Sequence, residues 1–249
     1  MEVKREQIIE VVDKGLKDDP SVFALWLEGS DANNTLDQYS DIDIWLDVED
    51  GKEQTVFTKI EDIFSNLGEL NFAYDMRHPS PQIHQKVFHL KNTPETLLID
   101  VCIQSHSRNF EFTRGIDDEP KVIFDKGAIK FKELNQEEFQ KELKSRVERL
   151  KITLAQKIRV LTKVKRGDFL ESLMYYQKWI VAPLVELLRI KYIPHKRDYH
   201  LKHISRDLPK EVVEQIEAIS KIQSVKDIEN GIKVADELFK KTLSEINFN

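Results

Sequence analysis

Two short runs of this chain could do chemistry together: Leu27-Glu28-Gly29-Ser30, and then Ser40-Asp41-Ile42-Asp43. The first reads as an apolar strand ending in a Gly-Ser turn. The second opens another apolar strand with an Asp-x-Asp pair. Alternate side chains of a strand share a face, so Asp41 and Asp43 point the same way. Two neighbouring carboxylates repel each other unless a cation lies between them. A hard dication suits them, and magnesium commonly takes one or two carboxylates plus substrate phosphates. The backbone N–H groups and hydroxyl at Gly29 and Ser30 suit a phosphate. Alone, a Gly-Ser pair is an ordinary turn and an Asp-x-Asp pair a solvated strand end. Here Ile42, Ile44, Trp45 and Leu46 embed the acids in a core-forming strand, where buried charges are costly unless paired or metal-bound. The combination points to a site for a metal-bound nucleoside triphosphate.

A third acid is expected on a neighbouring strand. Leu97-Leu98-Ile99-Asp100-Val101-Cys102-Ile103 is a short apolar run with one acid in its middle, bounded by Pro94 and by polar residues. Asp100 there is either a buried, hydrogen-bonded residue or a ligand to a metal shared with Asp41 and Asp43. The rule that buried charges are paired or coordinate metals favours the ligand.

The elements that must position these residues follow from the apolar pattern. Ile8, Ile9, Val12 and Leu16 mark an amphipathic helix stopped by Asp19-Pro20. Strands are expected over 22–28 and 42–48. Val56, Phe57, Ile60, Ile63, Phe64 and Leu67 trace a second helix, with Gly68 at its end. Further strands are read over 70–74, 83–90, 97–103 and 122–125. The order predicts an α+β half with a mixed sheet and helices on one side. From Phe139 to Leu161 apolar residues recur every three or four positions, the pattern of one long helix broken at Gly167. A second helix is expected from Asp168, kinked at Pro183, and two more from about Lys210 and Val225. The chain thus reads as a catalytic α+β domain over 1–130 and an all-helical domain over 131–249.

Composition sets limits. A chain of 249 residues, 40% hydrophobic, can hold one large domain or two small ones. No segment approaches the ~20 apolar residues of a membrane-spanning helix. The charged start, Met1-Glu2-Val3-Lys4-Arg5-Glu6, lacks the apolar region of a signal peptide. The single cysteine, Cys102, forbids an intramolecular disulfide and reads as a small core residue. A cytoplasmic protein is expected. The formal charge of −6 argues against general nucleic-acid binding and suits a small cationic acceptor better.

Gly29-Ser30 followed by Asp41-x-Asp43 resembles the nucleotidyltransferases of the DNA polymerase β superfamily. Within it, Leu27-Glu28-Gly29-Ser30-x-Ala32-Asn33 resembles the signature of aminoglycoside 6-adenylyltransferases, the streptomycin-modifying type. The strand with Leu98-Ile99-Asp100 resembles that family's third acidic strand, and Lys121-Val122-Ile123-Phe124-Asp125-Lys126 the strand closing its catalytic domain. Val185-Glu186-Leu187-Leu188-Arg189 in the helical half is similar too, less specifically. The resemblance implies transfer of a nucleoside monophosphate, AMP from ATP, to a hydroxyl of a small molecule, with loss of pyrophosphate. It implies magnesium roles for Asp41, Asp43 and Asp100 and phosphate roles for Gly29 and Ser30. Relatives often place Arg or Lys directly after Gly-Ser, where this chain has Asp31.

The expected chemistry is an in-line displacement at the α-phosphorus, with metal ions clamping the attacking and leaving oxygens. A general base is harder to find. Kanamycin nucleotidyltransferase-like relatives carry a helical Glu one turn before a Lys. Lys178-Trp179 resembles the Lys end, but one turn earlier stands Met174, and Glu171 lies a turn further back. Asp168 and Glu171 also have capping-box spacing. Asp168 reads as a cap; Glu171 stands between cap and base, on the helical wall expected to bind the acceptor. Lys178 has two readings, a countercharge to the triphosphate or a solvated helix residue. The loop with His195, Lys196, Arg197, His200 and His203 matches no zinc spacing. Two other functions compete: a protein-modifying, antitoxin-like adenylyltransferase, and a non-catalytic nucleotide-binding module. The expected partners are a nucleoside triphosphate, magnesium and a small hydroxylated acceptor, with no membrane, for a monomer or homodimer.

Overall fold

Alternating apolar residues on two neighbouring strands build the centre of the first half. In the computed structural model, which describes residues 3–33, 35–116 and 118–248, strand β2 (Ile42–Val48) lies parallel to β5 (Ile99–Ser105). Strand β1 (Val22–Leu27) runs antiparallel to β2 on its other side. Strands β3 (Leu70–Met76), β4 (Ile83–Leu90) and β7 (Lys121–Asp125) complete a mixed six-stranded sheet in the order β3-β4-β5-β2-β1-β7. One parallel pair among antiparallel neighbours requires a long crossover between β2 and β5; the chain fills it with helix α3 (Glu53–Leu67) and the β3-β4 hairpin.

Ile42, Ile44, Leu46 and Val48 of β2 and Ile99, Val101 and Ile103 of β5 face one side and are buried. They pack with Ile8, Val12 and Leu16 of helix α1 (Arg5–Leu16) and with Val56, Phe57, Ile60 and Phe64 of α3. The period-2 pattern of the strands and the 3.6-residue pattern of the helices meet in one core. Asp43, Trp45 and Asp47 therefore turn to the opposite face, beside Asp100, Cys102 and Gln104. Part of that second face is closed by Ala24, Trp26 and Phe112. Phe112 belongs to β6 (Phe112–Arg114), which pairs in parallel with β8 (Phe131–Glu133) in a small separate sheet that the sequence pattern did not announce.

The chain divides into two compact units, Met1–Glu133 and Leu134–Asn249. The second is all helix: α4 (Gln136–Ala155), α5 (Lys157–Arg166), α6 (Phe169–Tyr176), α7 (Ala182–Tyr192), α8 (Ile204–Asp207), α9 (Lys210–Ser220) and α10 (Val225–Glu245). The expected single helix through 139–161 is two helices, parted at Gln156, whose N–H turns to Thr153 and Leu154 instead of continuing the ladder. Gly167 caps α5 in the left-handed conformation (φ 75°), as a glycine after a helix does. The kink expected at Pro183 is a π-helical segment, Gln177–Val181, directly before α7. Proline has no N–H and its ring crowds the carbonyl four residues back. The wider turn, in which Ala182 N–H reaches Gln177 O, makes room for it. Among the described residues no helix is long and apolar enough to cross a membrane.

Candidate active site

The strand register places the acids. On parallel β2 and β5, Asp43 is directly opposite Asp100, so the two share a row and a face. Both are partly buried. Asp41 stands one residue before β2 and is exposed, rather than embedded in the strand as the apolar neighbours suggested. The reason is Arg5: its guanidinium donates to the carbonyls of Ser40 (2.9 Å) and Asp41 (2.6 Å) and holds the chain at the strand's entrance. Asp41 still acts on the row. Burial pushes the Asp100 carboxyl above its ordinary value, and the charge of Asp41 adds to that shift. Gln85 opposes it by donating from Nε2 to both carboxylate oxygens, at 2.9 and 2.7 Å. Cys102 registers the same negative field: desolvation, then Asp100, Glu28 and Asp43, push its thiol far up, which rules it out as a nucleophile at neutral pH.

Gly29 is where the turn and the acids meet. Its φ is 62°, in the region that favours glycine, and a Cβ built on it would lie 2.1 Å from Asp43 Oδ2. No other residue type lets the Gly-Ser turn lie against the Asp43 carboxylate. Glu28 N–H bonds Asp43 O at 3.1 Å and ties the end of β1 to β2 at the same level. Trp26 Nε1 donates to Glu28 Oε1 at 2.9 Å. Gly29 to Ala32 then form one helical turn, α2. The hydroxyl oxygen of Ser30 is buried there with no hydrogen-bond partner. A buried hydroxyl left unpaired is costly, and a ligand with acceptor oxygens would relieve it.

Asp31 is buried and ion-paired to Arg5, with Lys121 Nζ 3.8 Å away. It is an anchor between α1, α2 and β7. Arg5, Gln85 and Lys121 were all missed in the sequence. Each acts from a distant element, and no local pattern marks it.

Glu171 and Lys178 belong to the helical unit. Glu171 is ion-paired with Lys163 at 2.7 Å. Asp168 occupies the N-cap position of α6, but its side chain makes no capping bond, so the expected capping box is not formed; the Lys163 pair takes Glu171 instead. Lys178 lies in the π-helical segment with Nζ 4.8 Å from the centre of the Trp179 ring. It borders an apolar cavity of about 370 Å³ with Met174, Val181, Val185, His200 and Leu201.

Among the described residues, no group of three or more His, Cys, Asp or Glu side chains is gathered closely enough to hold a metal ion alone. The donor chemistry nevertheless fits a divalent cation carried in with a polyphosphate. Two carboxylates stand in one row, one of them is desolvated, and a third adds charge. Magnesium needs only one or two such groups when phosphates supply the rest.

No family model and no curated protein matches the chain. Among solved structures it is similar to an aminoglycoside 6-adenyltransferase from Bacillus subtilis, with 14% identity and a TM-score of 0.39 over 98% of this chain and 90% of that one. A spectinomycin adenyltransferase from Enterococcus faecialis, solved with ATP and spectinomycin, is 11% identical with a TM-score of 0.32, over 96% of this chain and 100% of that one. A nucleotidyltransferase-like protein from Exiguobacterium sibiricum is 12% identical with a TM-score of 0.34, over 97% and 77%. Likenesses this distant carry no residue role across.

Proposed function

We propose that the chain is a magnesium-dependent nucleotidyltransferase that moves AMP from ATP to a hydroxyl of a small molecule. The observation that carries this reading is the row of Asp43 and Asp100 on adjacent parallel strands, with the Gly29 turn laid against Asp43. Facing acids destabilise a fold unless a cation relieves them. A turn that contributes a buried, unpaired hydroxyl at the same place favours a phosphate-bearing ligand.

In this reading Asp41 and Asp43 would hold the magnesium, with Asp100 beside them. The ion supplies Lewis-acid polarisation of phosphoryl oxygens and countercharge for pyrophosphate. Ser30 Oγ–H donates to a phosphate oxygen. The bond that forms joins the acceptor oxygen to the α-phosphorus; the bond that breaks joins that phosphorus to the bridging oxygen, which leaves with pyrophosphate. The acceptor's proton goes to Asp100. Gln85 aims that carboxylate through two hydrogen bonds.

Glu171, the helical candidate for the base, is held in an ion pair with Lys163. Glu171→Gln is therefore expected to keep turnover within about threefold, well short of the 10²–10⁴ that a general base supplies. A loss in that larger range would move the base to the helical unit and give that unit the acceptor. The class to test first is the aminoglycosides, on the resemblance of residues 27–43. The full chain is incubated with magnesium, ATP labelled in the α-phosphate and a streptomycin-containing panel. Label is then followed into small-molecule and protein fractions, with pyrophosphate release in parallel. Label on the small molecule supports the reading. Label on protein supports the antitoxin-like alternative, and magnesium-ATP binding with no release of pyrophosphate the non-catalytic one.

A further inference from the structure

The cavity of about 370 Å³ in the helical unit is not used by the proposed transfer, and its lining comes wholly from that unit. Val181 and Val185 on its wall are buried, whereas Met174 and Leu201 are more than half exposed. Exposed apolar side chains beside a concave pocket mark a surface that a ligand covers.

Two departures from regular backbone build the wall. On one side the π-helical segment Gln177–Val181 brings Gln177, Lys178 and Val181 to the cavity; such segments are frequent at functional sites. On the other side stands the loop with His200 and Leu201. His200 has φ 48°, a left-handed conformation uncommon outside glycine. Arg189, fully buried, holds it there by donating Nε to His200 O at 2.6 Å and Nη2 to Lys202 O at 2.5 Å. The cavity thus has a preformed wall, and residues held in such conformations cluster at ligand clamps.

The polar groups decide what fits. Among the described residues no acidic side chain lines the cavity. The side chains of Gln177, Lys178 and His200 there make no hydrogen bond or ion pair; Lys178 meets only the ring of its neighbour Trp179. An apolar pocket with a few convergent polar groups is the usual form of a small-molecule site. The full charge at Lys178 attracts an anion and repels a polycationic amino sugar. A cavity of about 150 Å³ holds one benzene ring, so this one has room for roughly two rings and an acid group.

We infer that the cavity binds a flat, apolar small molecule bearing a carboxylate, with its rings against Val181 and Val185 and its carboxylate at Lys178. The inference does not rest on the nucleotidyltransferase reading, and it gives the cavity a ligand other than ATP.

The experiment is fluorescence titration of the full chain with 2-naphthoate, and with neutral 2-naphthamide of the same shape, using wild type, Lys178→Gln, Ala182→Phe and Lys233→Gln. Ala182 lines the cavity and is itself exposed, so a larger side chain there fills the cavity without entering the core. Lys233 is exposed on α10 and makes the same charge change elsewhere in the unit. Expected in wild type is saturable one-site binding of naphthoate, about tenfold tighter than naphthamide, in line with one charge-assisted contact. Lys178→Gln should remove that preference and leave naphthamide affinity unchanged. Ala182→Phe, at an unchanged Tm, should lose both ligands, and Lys233→Gln should behave as wild type. If Ala182→Phe melts lower, Leu201→Ser at the exposed rim takes its place and should weaken both ligands. Absence of saturable naphthoate binding in wild type overturns the inference, as does undiminished binding in the filled variant. A preference that survives in Lys178→Gln, or falls equally in Lys233→Gln, removes Lys178 as the partner of the carboxylate and overturns it too. Displacement of naphthoate by magnesium-ATP would give the cavity and Lys178 to the nucleotide, with the same result.

Discussion

Strands β2 and β5 carry two polar rows on the same face, four residues apart, and the rows are built on opposite principles. At Asp43 and Asp100 an acid faces an acid. At Asp47 and Gln104 an acid faces an amide: Gln104 Nε2 donates to Asp47 Oδ2 at 2.6 Å, and His106 Nδ1 to Asp47 Oδ1 at 2.5 Å. Arg108 in turn donates to Gln104 Oε1 at 2.6 Å. Asp47 is the more buried of the two β2 acids and the better satisfied. Buried polar groups stabilise a fold only when every member is paired. The Asp47 row meets that condition with the protein's own groups. In the Asp43 row Gln85 bonds Asp100, and two carboxylates still face each other across the strands. On the proposed function, the difference would separate a structural acid from a functional one on a single strand, where spacing alone treats them alike.

The sharpest way to break the comparison is a pair of substitutions with opposite signs. Asp43→Asn is expected to cut nucleotidyl transfer by at least about a thousandfold, because metal-ion stabilisation is worth several kcal/mol and each ~1.4 kcal/mol is tenfold. In EDTA the same variant should melt at or above the wild-type temperature, since one of two facing charges is gone. Turnover in magnesium and melting in EDTA check both halves; retained turnover would remove Asp43 from the site.

Asp47→Ala should do the reverse. It strands the buried Gln104 amide and leaves His106 without its carboxylate. The cost is about 1–3 kcal/mol, read as a fall of several degrees in Tm for a chain of this size, with turnover per folded molecule unchanged. A fall in turnover without loss of stability would place Asp47 in the chemistry and erase the distinction.

The smallest effect is a pH slope. Asp100 binds its proton more tightly in the folded chain than the ordinary carboxylate value of 3.8. The native state therefore carries the extra proton, and stability without metal must fall as pH rises from 3.8 through the raised value, then level off. In denaturant titrations with EDTA, Asp100→Asn should flatten that slope, and magnesium-ATP should offset it in the wild type. An unchanged slope in Asp100→Asn would show that burial and Asp41 do not load this carboxylate.

The sequence by itself determined the apolar periodicities, and with them the α+β half, the helical half and the side of the sheet that the core occupies. It also determined that Asp43 and Asp100 were acids in apolar company, because alternation along a strand is a local property; Asp41 proved to lie before the strand, exposed. Some features lay beyond it for the same reason. The break at Gln156 depends on where one N–H finds its carbonyls, and the π-helical segment on how one proline was accommodated. Gln85 reaches Asp100 from β4, Arg5 clasps Asp31 and the entrance of β2 from α1, and Lys121 arrives beside the Gly-Ser turn from β7. Their partners are 15 to 90 residues away, and only strand order and register bring them within reach. Asp31 shows the division most plainly. In the sequence it is one more acid after a turn; in the structure it is a paired anchor, since two cations from opposite ends of the domain converge on it.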